Sequence, residues 1–235
     1  MRGQIGIESI ESCKLKGNTF FSHLSAGSIT DFESVNYSSI YPAGAGLFFE
    51  RQEPRGVFVL CSGEIKLSIS SSGGKIFILK IAKPGDVLGL MATVTGNPYE
   101  ATAETLHPCQ VAFVRRDDFL RFIATHPEAN AEVVRQLSTS YLGACERLRT
   151  VALGSSAPGK IARMLLEWSA DGMVTKDGRR IKLSLTHREI AELIGVTRET
   201  VTRTLSEFRH RQLVAFDGST LLVSSRAGLE SISGD

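Results

Sequence analysis

The sequence predicts an α+β protein in which an antiparallel β-roll is followed by a long helix and then by a winged helix-turn-helix unit. Three observations support this order. Short apolar segments separated by glycine and proline fill residues 24–126, a pattern typical of closed antiparallel architectures. Residues 127–153 contain a single glycine and repeat apolar residues at helical spacing. Residues 160–235 contain a helix-turn-helix pattern followed by a hairpin pattern.

Composition limits the classes of protein to which the chain can belong. Of its 235 residues, 42% are hydrophobic and 22% are charged, the balance of a globular protein. The net charge of +2 predicts no general attraction to nucleic acid or membranes. No segment approaches the roughly 20 apolar residues of a membrane helix, and the N-terminal segment 1–23 lacks the apolar core of a secretion signal. We therefore expect a soluble cytoplasmic protein without membrane contact.

The β-roll prediction rests on three segments. Residues 64–70 alternate polar and apolar side chains, which is typical of a half-buried strand. Residues 56–60 and 75–79 are rich in β-branched and aromatic side chains. Turn signals separate these segments, among them Pro84-Gly85-Asp86 and Gly96-Asn97-Pro98.

The long helix predicted over residues 127–153 carries an apolar seam with alternating spacings of three and four residues. That spacing is typical of a helix that pairs with a copy of itself, so we predict a homodimer. The alternative is that the seam packs on the β-roll of its own chain. Residues 154–159 resemble a hinge, because glycine, serine and proline dominate them. The predicted seam consists of Val134, Leu137, Tyr141, Ala144, Leu148 and Val151.

The helix-turn-helix pattern occupies residues 186–213. Thr186 and Glu189 have the spacing of a capping box, and Gly195 suits the left-handed residue between two helices. Thr197 is placed to cap the second helix, whose buried stripe would be Val201, Leu205 and Phe208.

Polar side chains cover the opposite face of this second helix. Arginine can donate two hydrogen bonds to guanine, and glutamate can accept one from cytosine, so the pattern predicts binding to double-stranded DNA. The alternative is a solvated face with a Glu199–Arg203 ion pair. The candidate DNA-binding residues are Arg198, Glu199, Thr202, Arg203 and Ser206, with Thr186, Thr197 and Arg209 beside them.

Residues 196–203, Val-Thr-Arg-Glu-Thr-Val-Thr-Arg, are similar to the recognition-helix motif of the cyclic-AMP receptor protein / fumarate-nitrate regulator (CRP/FNR) family. Gly63-Glu64-Ile65, and Pro84-Gly85-Asp86 with Gly89, resemble turns of its β-roll. The resemblance implies a cyclic-nucleotide-binding-like jelly roll and a dimeric transcription regulator on a near-palindromic operator. It also implies that Arg198, Glu199 and Arg203 read a TGTGA-like half-site, and that residues 170–180 face RNA polymerase.

Family members that bind cyclic nucleotides carry a glutamate and an Arg-Ser pair in a cassette after the Pro-Gly-Asp turn. This chain has Leu90 and Glu100-Ala101 there, and residues 89–102 contain no lysine or arginine to neutralise a phosphate. We therefore expect either an unknown effector other than cyclic AMP or DNA binding without any effector. Two alternatives remain: a cyclic-nucleotide-responsive regulator with a non-standard pocket, and an interaction module without a DNA-dependent role. The degenerate cassette comprises Gly89, Leu90, Met91, Glu100 and Ala101.

Enzymes, metals and cofactors are not predicted. The sequence has no Gly-x-Ser-x-Gly elbow, phosphate loop or His-Glu-x-x-His helix. Its four cysteines are too widely spaced for a local metal cluster. Haem ligation by single histidines and thiol redox sensing remain open alternatives. The residues concerned are His23, His107 and His126, and Cys61, Cys109 and Cys145, with Cys13 further upstream.

Overall fold

The computed structural model describes residues 20–149, 156–170, 172–218 and 220–234. The chain forms two compact units. The first contains most of the chain up to Leu142, and the second contains the residues from Gly143 onward together with Gly74–Ile78.

The first part of the chain, from residue 20 to residue 148, is an antiparallel β-roll with accompanying helices. Its sheets have the strand orders β1-β8-β3-β6 and β2-β7-β4-β5 once the elements are numbered along the chain. The elements are α1 (Ala26–Val35), β1 (Asn36–Tyr41), β2 (Gly46–Phe48), β3 (Gly56–Ser62), β4 (Ile65–Ser70), β5 (Ile76–Ala82), β6 (Val87–Leu88), α2 (Leu90–Thr95), β7 (Thr102–Thr105), β8 (Cys109–Arg115), α3 (Arg116–Thr125) and α4 (Pro127–Leu148).

The predicted roll is confirmed, and β3, β4 and β5 match the three predicted strands. The helices α1, α2 and α3 were not predicted, because the 24–126 segment reads mainly as strands and turns. α1 is a short helix capped by Ser25, whose hydroxyl accepts the Ser28 N–H. Its main apolar anchor is Phe32, which packs edge-on against Phe21 and Phe122. One core lies among these helices and β3, and another fills the inside of the roll.

The second unit is a winged helix-turn-helix. The elements are α5 (Ala157–Ala170), β9 (Met173–Thr175), β10 (Gly178–Lys182), α6 (His187–Ile194), α7 (Arg198–His210), β11 (Val214–Asp217), β12 (Thr220–Val223) and α8 (Arg226–Ser233). The strands form one antiparallel sheet in the order β11-β12-β10-β9, and β11 with β12 is the predicted hairpin.

Three details of this unit differ from the prediction. α5 begins at Ala157, so the last residues of the predicted hinge 154–159 start a helix. Pro158 fits there because the first helical turn leaves its N–H groups unpaired. Residues 154 and 155 lie outside the described part. The strand predicted at 181–185 lies at Gly178–Lys182, and residues 170–180, predicted as a loop, contain β9 and the start of β10.

Candidate nucleic-acid interface

The helix α6 begins with the predicted capping box. Thr186 Oγ1 accepts the Glu189 N–H at 3.2 Å, and Glu189 Oε2 accepts the Thr186 N–H at 2.9 Å. The buried side of α6 carries Ile190, Leu193 and Ile194. Gly195 ends the helix in the left-handed conformation, with φ of 72°. This turn directs the chain into α7.

The helix α7 separates a buried stripe from a polar face, as predicted. Thr197 Oγ1 accepts the Thr200 N–H at 3.2 Å and so caps the helix. Val201, Leu205 and Phe208 are buried. All eight candidate DNA-binding side chains are exposed, namely Thr186, Thr197, Arg198, Glu199, Thr202, Arg203, Ser206 and Arg209.

The charged groups on this face are available to a partner. Among the described residues, Glu199 and Arg203 do not form the alternative ion pair. Near the end of α7, Arg211 instead pairs with Glu207 at 3.6 Å. Glu199 folds back on the helix start, where hydrogen bonds from its own N–H and from the Thr197 side chain lower the pKa of its carboxyl group. Glu199 therefore remains an anion and a hydrogen-bond acceptor near neutral pH.

Thr202 has an interaction that the sequence did not indicate. Its hydroxyl donates to the carbonyl oxygen of Arg198 at 3.1 Å and lies 2.9 Å from Nδ1 of His187. His187 is the first residue of α6, so this contact joins the two helices of the motif. The sequence alone does not point to His187, because only the fold brings residues 15 positions apart into contact.

The residues of the degenerate cassette are divided between the protein interior and the surface. Gly89 adopts a left-handed conformation, Leu90 and Ala101 are buried, and Met91 and Glu100 are exposed. A Cβ atom on Gly89 would lie 2.6 Å from the ring of Tyr99, so glycine is required there both by its φ of 71° and by this close approach. Gly89 thus lies against the Tyr99 ring, whereas Leu90 packs into the helical core.

Tyr99 occupies the interior of the roll. Tyr99 is 2% exposed, and its ring stacks on the Phe48 ring with centroids 4.1 Å apart. Its hydroxyl donates to the Gly56 carbonyl oxygen at 2.7 Å and accepts the N–H groups of Gly56 and Arg55 at 3.2 and 3.1 Å. Burial raises the pKa of the phenol, so it remains a neutral donor. Tyr99 is the only aromatic residue among residues 89–102. This feature could have indicated a buried ring beside the cassette, but the prediction took no account of it.

The predicted seam on α4 is mostly uncovered. Val134, Tyr141 and Leu148 are 59%, 69% and 67% exposed, and Ala144 is exposed too. Leu137 is partly buried against the helical core of the first unit. The neighbouring stripe with Ala129 and Val133 packs into that core, so the seam apart from Leu137 lies on a side of the helix that the core does not cover. Val151 lies outside the described residues.

Cysteines and histidines do not gather into a metal site within the described part of the chain. Cys61 is disulfide-bonded, Cys109 is buried, and Cys145 is half-buried. Burial raises the pKa of the Cys109 thiol. His126 is occupied by Ser28 and Asp31, at 3.0 and 3.1 Å. No helix among the described residues has the length and apolar character needed to span a membrane.

Comparisons with known proteins agree with both units. A model of the cyclic nucleotide-binding domain matches residues 39–126, and a model of the Crp-like helix-turn-helix domain matches residues 159–232. A CRP-like cAMP-activated global transcriptional regulator of Mycobacterium tuberculosis is 27% identical over 186 residues, covering 78% of this chain and 82% of its own. The global nitrogen regulator of Synechococcus elongatus is 28% identical over 193 residues, covering 80% and 86%.

Solved structures share the fold. FixK2 from Bradyrhizobium japonicum superposes with a TM-score of 0.75 at 21% identity, covering 84% of this chain and 97% of its own. The c-di-GMP responsive regulator CLP of Xanthomonas campestris gives a TM-score of 0.75 at 19% identity, covering 86% and 100%.

Proposed function

Since the chain belongs to the CRP/FNR family of transcription regulators, we propose that it binds a palindromic operator as a homodimer and does so without cyclic AMP. The recognition helix is α7. Arg198, Glu199 and Arg203 read a TGTGA-like half-site, and RNA polymerase is the partner on the face formed by residues 170–180.

The exposed polar face of α7 carries the proposal. It presents donors and an acceptor of the kinds that distinguish guanine and cytosine in the major groove. Arg203 is in none of the ion pairs found among the described residues of this unit, and the positive charge of Arg198 acts on its neighbour Glu199. Thr186, Thr197 and Arg209 flank this face and would contact the DNA backbone.

Dimerisation is supported by the uncovered seam of α4. An isolated helix would leave Val134, Tyr141 and Leu148 in water, where large apolar side chains are unfavourable when they line up in a stripe. Pairing two copies along this seam buries both stripes. It also provides two recognition helices for two half-sites about one helical turn of DNA apart.

Independence from cyclic AMP is supported by the filled roll. Tyr99 occupies the space beside the cassette, and its hydroxyl already satisfies the backbone groups of Gly56. The cassette offers no cation for a cyclic phosphate, and its one charged side chain, Glu100, would repel it. A relative named as cAMP-activated is 27% identical to this chain, but residues 89–102 of this chain have Leu90 and Glu100-Ala101 in place of the glutamate and the Arg-Ser pair.

The test replaces one arginine at the interface and one elsewhere on the same unit. We expect Arg203→Ala to weaken operator binding by about 1–3 kcal/mol and to relax the preference for one base pair. Arg226→Ala, on α8 and paired with Glu230 at 2.7 Å, is the matched control and should bind as the unmodified protein does. Unchanged affinity and base preference in Arg203→Ala would contradict the assignment of α7.

A further inference from the structure

We propose that Thr202 determines specificity by contacting the methyl group of a thymine, and that His187 is the positioning residue that holds Thr202 for this contact. This inference rests on the proposed DNA-binding function of α7. To the proposed arginine and glutamate contacts it adds a third base contact, an apolar one made by the Thr202 methyl group.

The hydrogen bonds of Thr202 carry the argument. A threonine hydroxyl has one proton, and the Thr202 hydroxyl oxygen lies 3.1 Å from the Arg198 carbonyl oxygen. His187 Nδ1 lies 2.9 Å from the Thr202 hydroxyl oxygen. In one tautomer of His187 the proton goes to the Arg198 carbonyl oxygen and Nδ1–H donates to the hydroxyl, and in the other tautomer the proton goes to Nδ1. Both arrangements use the hydroxyl proton inside the protein. The hydroxyl therefore has no proton left for an acceptor on a base, such as guanine O6 or N7.

The γ-methyl group is the part of the Thr202 side chain that has no hydrogen-bonding duty. Thr202 is exposed and lies one turn from Arg198 and next to Arg203 on the face proposed to enter the major groove. Among the four bases, only thymine carries a methyl group in that groove, and a threonine methyl is a suitable apolar contact for it. The geometry thus favours methyl recognition over hydrogen bonding.

His187 fixes this arrangement because it ties the hydroxyl to a second helix. The capping box of Thr186 and Glu189 anchors the start of α6, so the His187 backbone is well defined. Without a polar partner at position 187, only the bond to the Arg198 carbonyl oxygen holds the hydroxyl, so Thr202 rotates about χ1 more readily and can turn its hydroxyl toward the DNA. An asparagine at 187 can supply an N–H at the δ position, whereas leucine cannot.

The experiment uses deoxyuridine, which differs from thymidine only by the missing methyl group. The duplex that the full-length protein binds best is selected from a random library, and each thymine is then replaced in turn. For the unmodified protein we expect one thymine in each half-site at which the replacement weakens binding about fourfold, as expected for one buried methyl group.

Four variants test whether Thr202 and His187 cause the weaker binding to the deoxyuridine duplex. Thr202→Ser removes the methyl and keeps the hydroxyl, so deoxyuridine should no longer weaken binding. Thr202→Val keeps a methyl and should retain the fourfold loss. His187→Asn should retain it, and His187→Leu should reduce it. Thr220→Ser, on β12 and away from α7, is the matched control and should retain it.

The possible negative results distinguish methyl recognition by Thr202, the positioning role of His187 and the proposed function from one another. If no thymine shows a loss that Thr202→Ser abolishes, or if Thr202→Val binds more weakly than Thr202→Ser, methyl recognition by Thr202 is wrong while DNA binding by α7 stands. If His187→Leu keeps the full loss while remaining folded by circular dichroism, the positioning role of His187 is wrong. If the unmodified protein selects no sequence over a scrambled duplex, the proposed function fails together with this inference.

Discussion

The hydroxyl group of Tyr99 should contribute strongly to the stability of the first unit, and Tyr99→Phe isolates that contribution. Phenylalanine keeps the ring that stacks on Phe48 and removes only the oxygen. The loss of the bond to the Gly56 carbonyl costs about 1 kcal/mol, and leaving the buried Gly56 N–H unpaired costs about 1–3 kcal/mol. The Arg55 N–H can form a hydrogen bond with water instead, because Arg55 is exposed, so we assign no cost to it. We therefore expect a destabilisation of about 2–4 kcal/mol.

The assay is urea unfolding followed by far-ultraviolet circular dichroism, together with hydrogen exchange of the Gly56 amide. That amide should exchange faster in Tyr99→Phe than in the unmodified protein, because it loses its partner. The matched control is Tyr37→Phe, since Tyr37 is 57% exposed and should change stability by less than about 0.5 kcal/mol. Equal stability of the two variants would refute the reasoning about the filled roll.

Three further predictions concern other parts of the chain. Leu148→Glu should weaken the dimer and with it operator affinity, as measured by ultracentrifugation and titration, whereas Thr139→Glu on the opposite side of α4 should not; an unchanged dimer in Leu148→Glu would contradict the seam. Cys109 should react with a thiol reagent more slowly than Cys145 in the folded protein and equally fast in urea, because burial raises its pKa; equal rates in the folded protein would oppose this. Hydrogen bonding from Ser28 lowers the pKa of Glu128 below its ordinary 4.5, so this carboxylate stabilises the fold above pH 4.5 and loses that effect as the pH falls through its lowered value. Glu128→Gln should therefore lose less stability in acid than the unmodified protein, with Glu33→Gln as the control, and parallel acid curves would contradict the linkage.

The sequence predicted those elements whose residues repeat with a clear period. Alternation over residues 64–70 predicted β4, and the cap and buried stripe predicted α7. Such patterns arise because one face of the element packs and the other meets water. The helix α1 has only ten residues, and its apolar residues Ile29, Phe32 and Val35 form too short a pattern to distinguish it from the surrounding strands.

The candidate site likewise has features that follow from local sequence patterns and features that depend on contacts between distant residues. The exposed face of α7 follows from helical geometry, so all the candidate residues on it were predicted from the sequence. The contact between His187 and Thr202 and the filling of the roll by Tyr99 depend on how separate elements pack. No local period records such contacts, so only the three-dimensional structure could reveal them.

The most direct test of the central claim is a titration of the purified full-length protein against a TGTGAN6TCACA duplex at fixed salt, with and without cyclic AMP. A scrambled duplex measures the part of binding that is electrostatic and independent of sequence. We predict tight binding to the TGTGAN6TCACA duplex, weaker binding to the scrambled one, and no change on adding the nucleotide. Binding that appears only with cyclic AMP would contradict the filled roll, and equal binding to both duplexes would contradict sequence reading by α7.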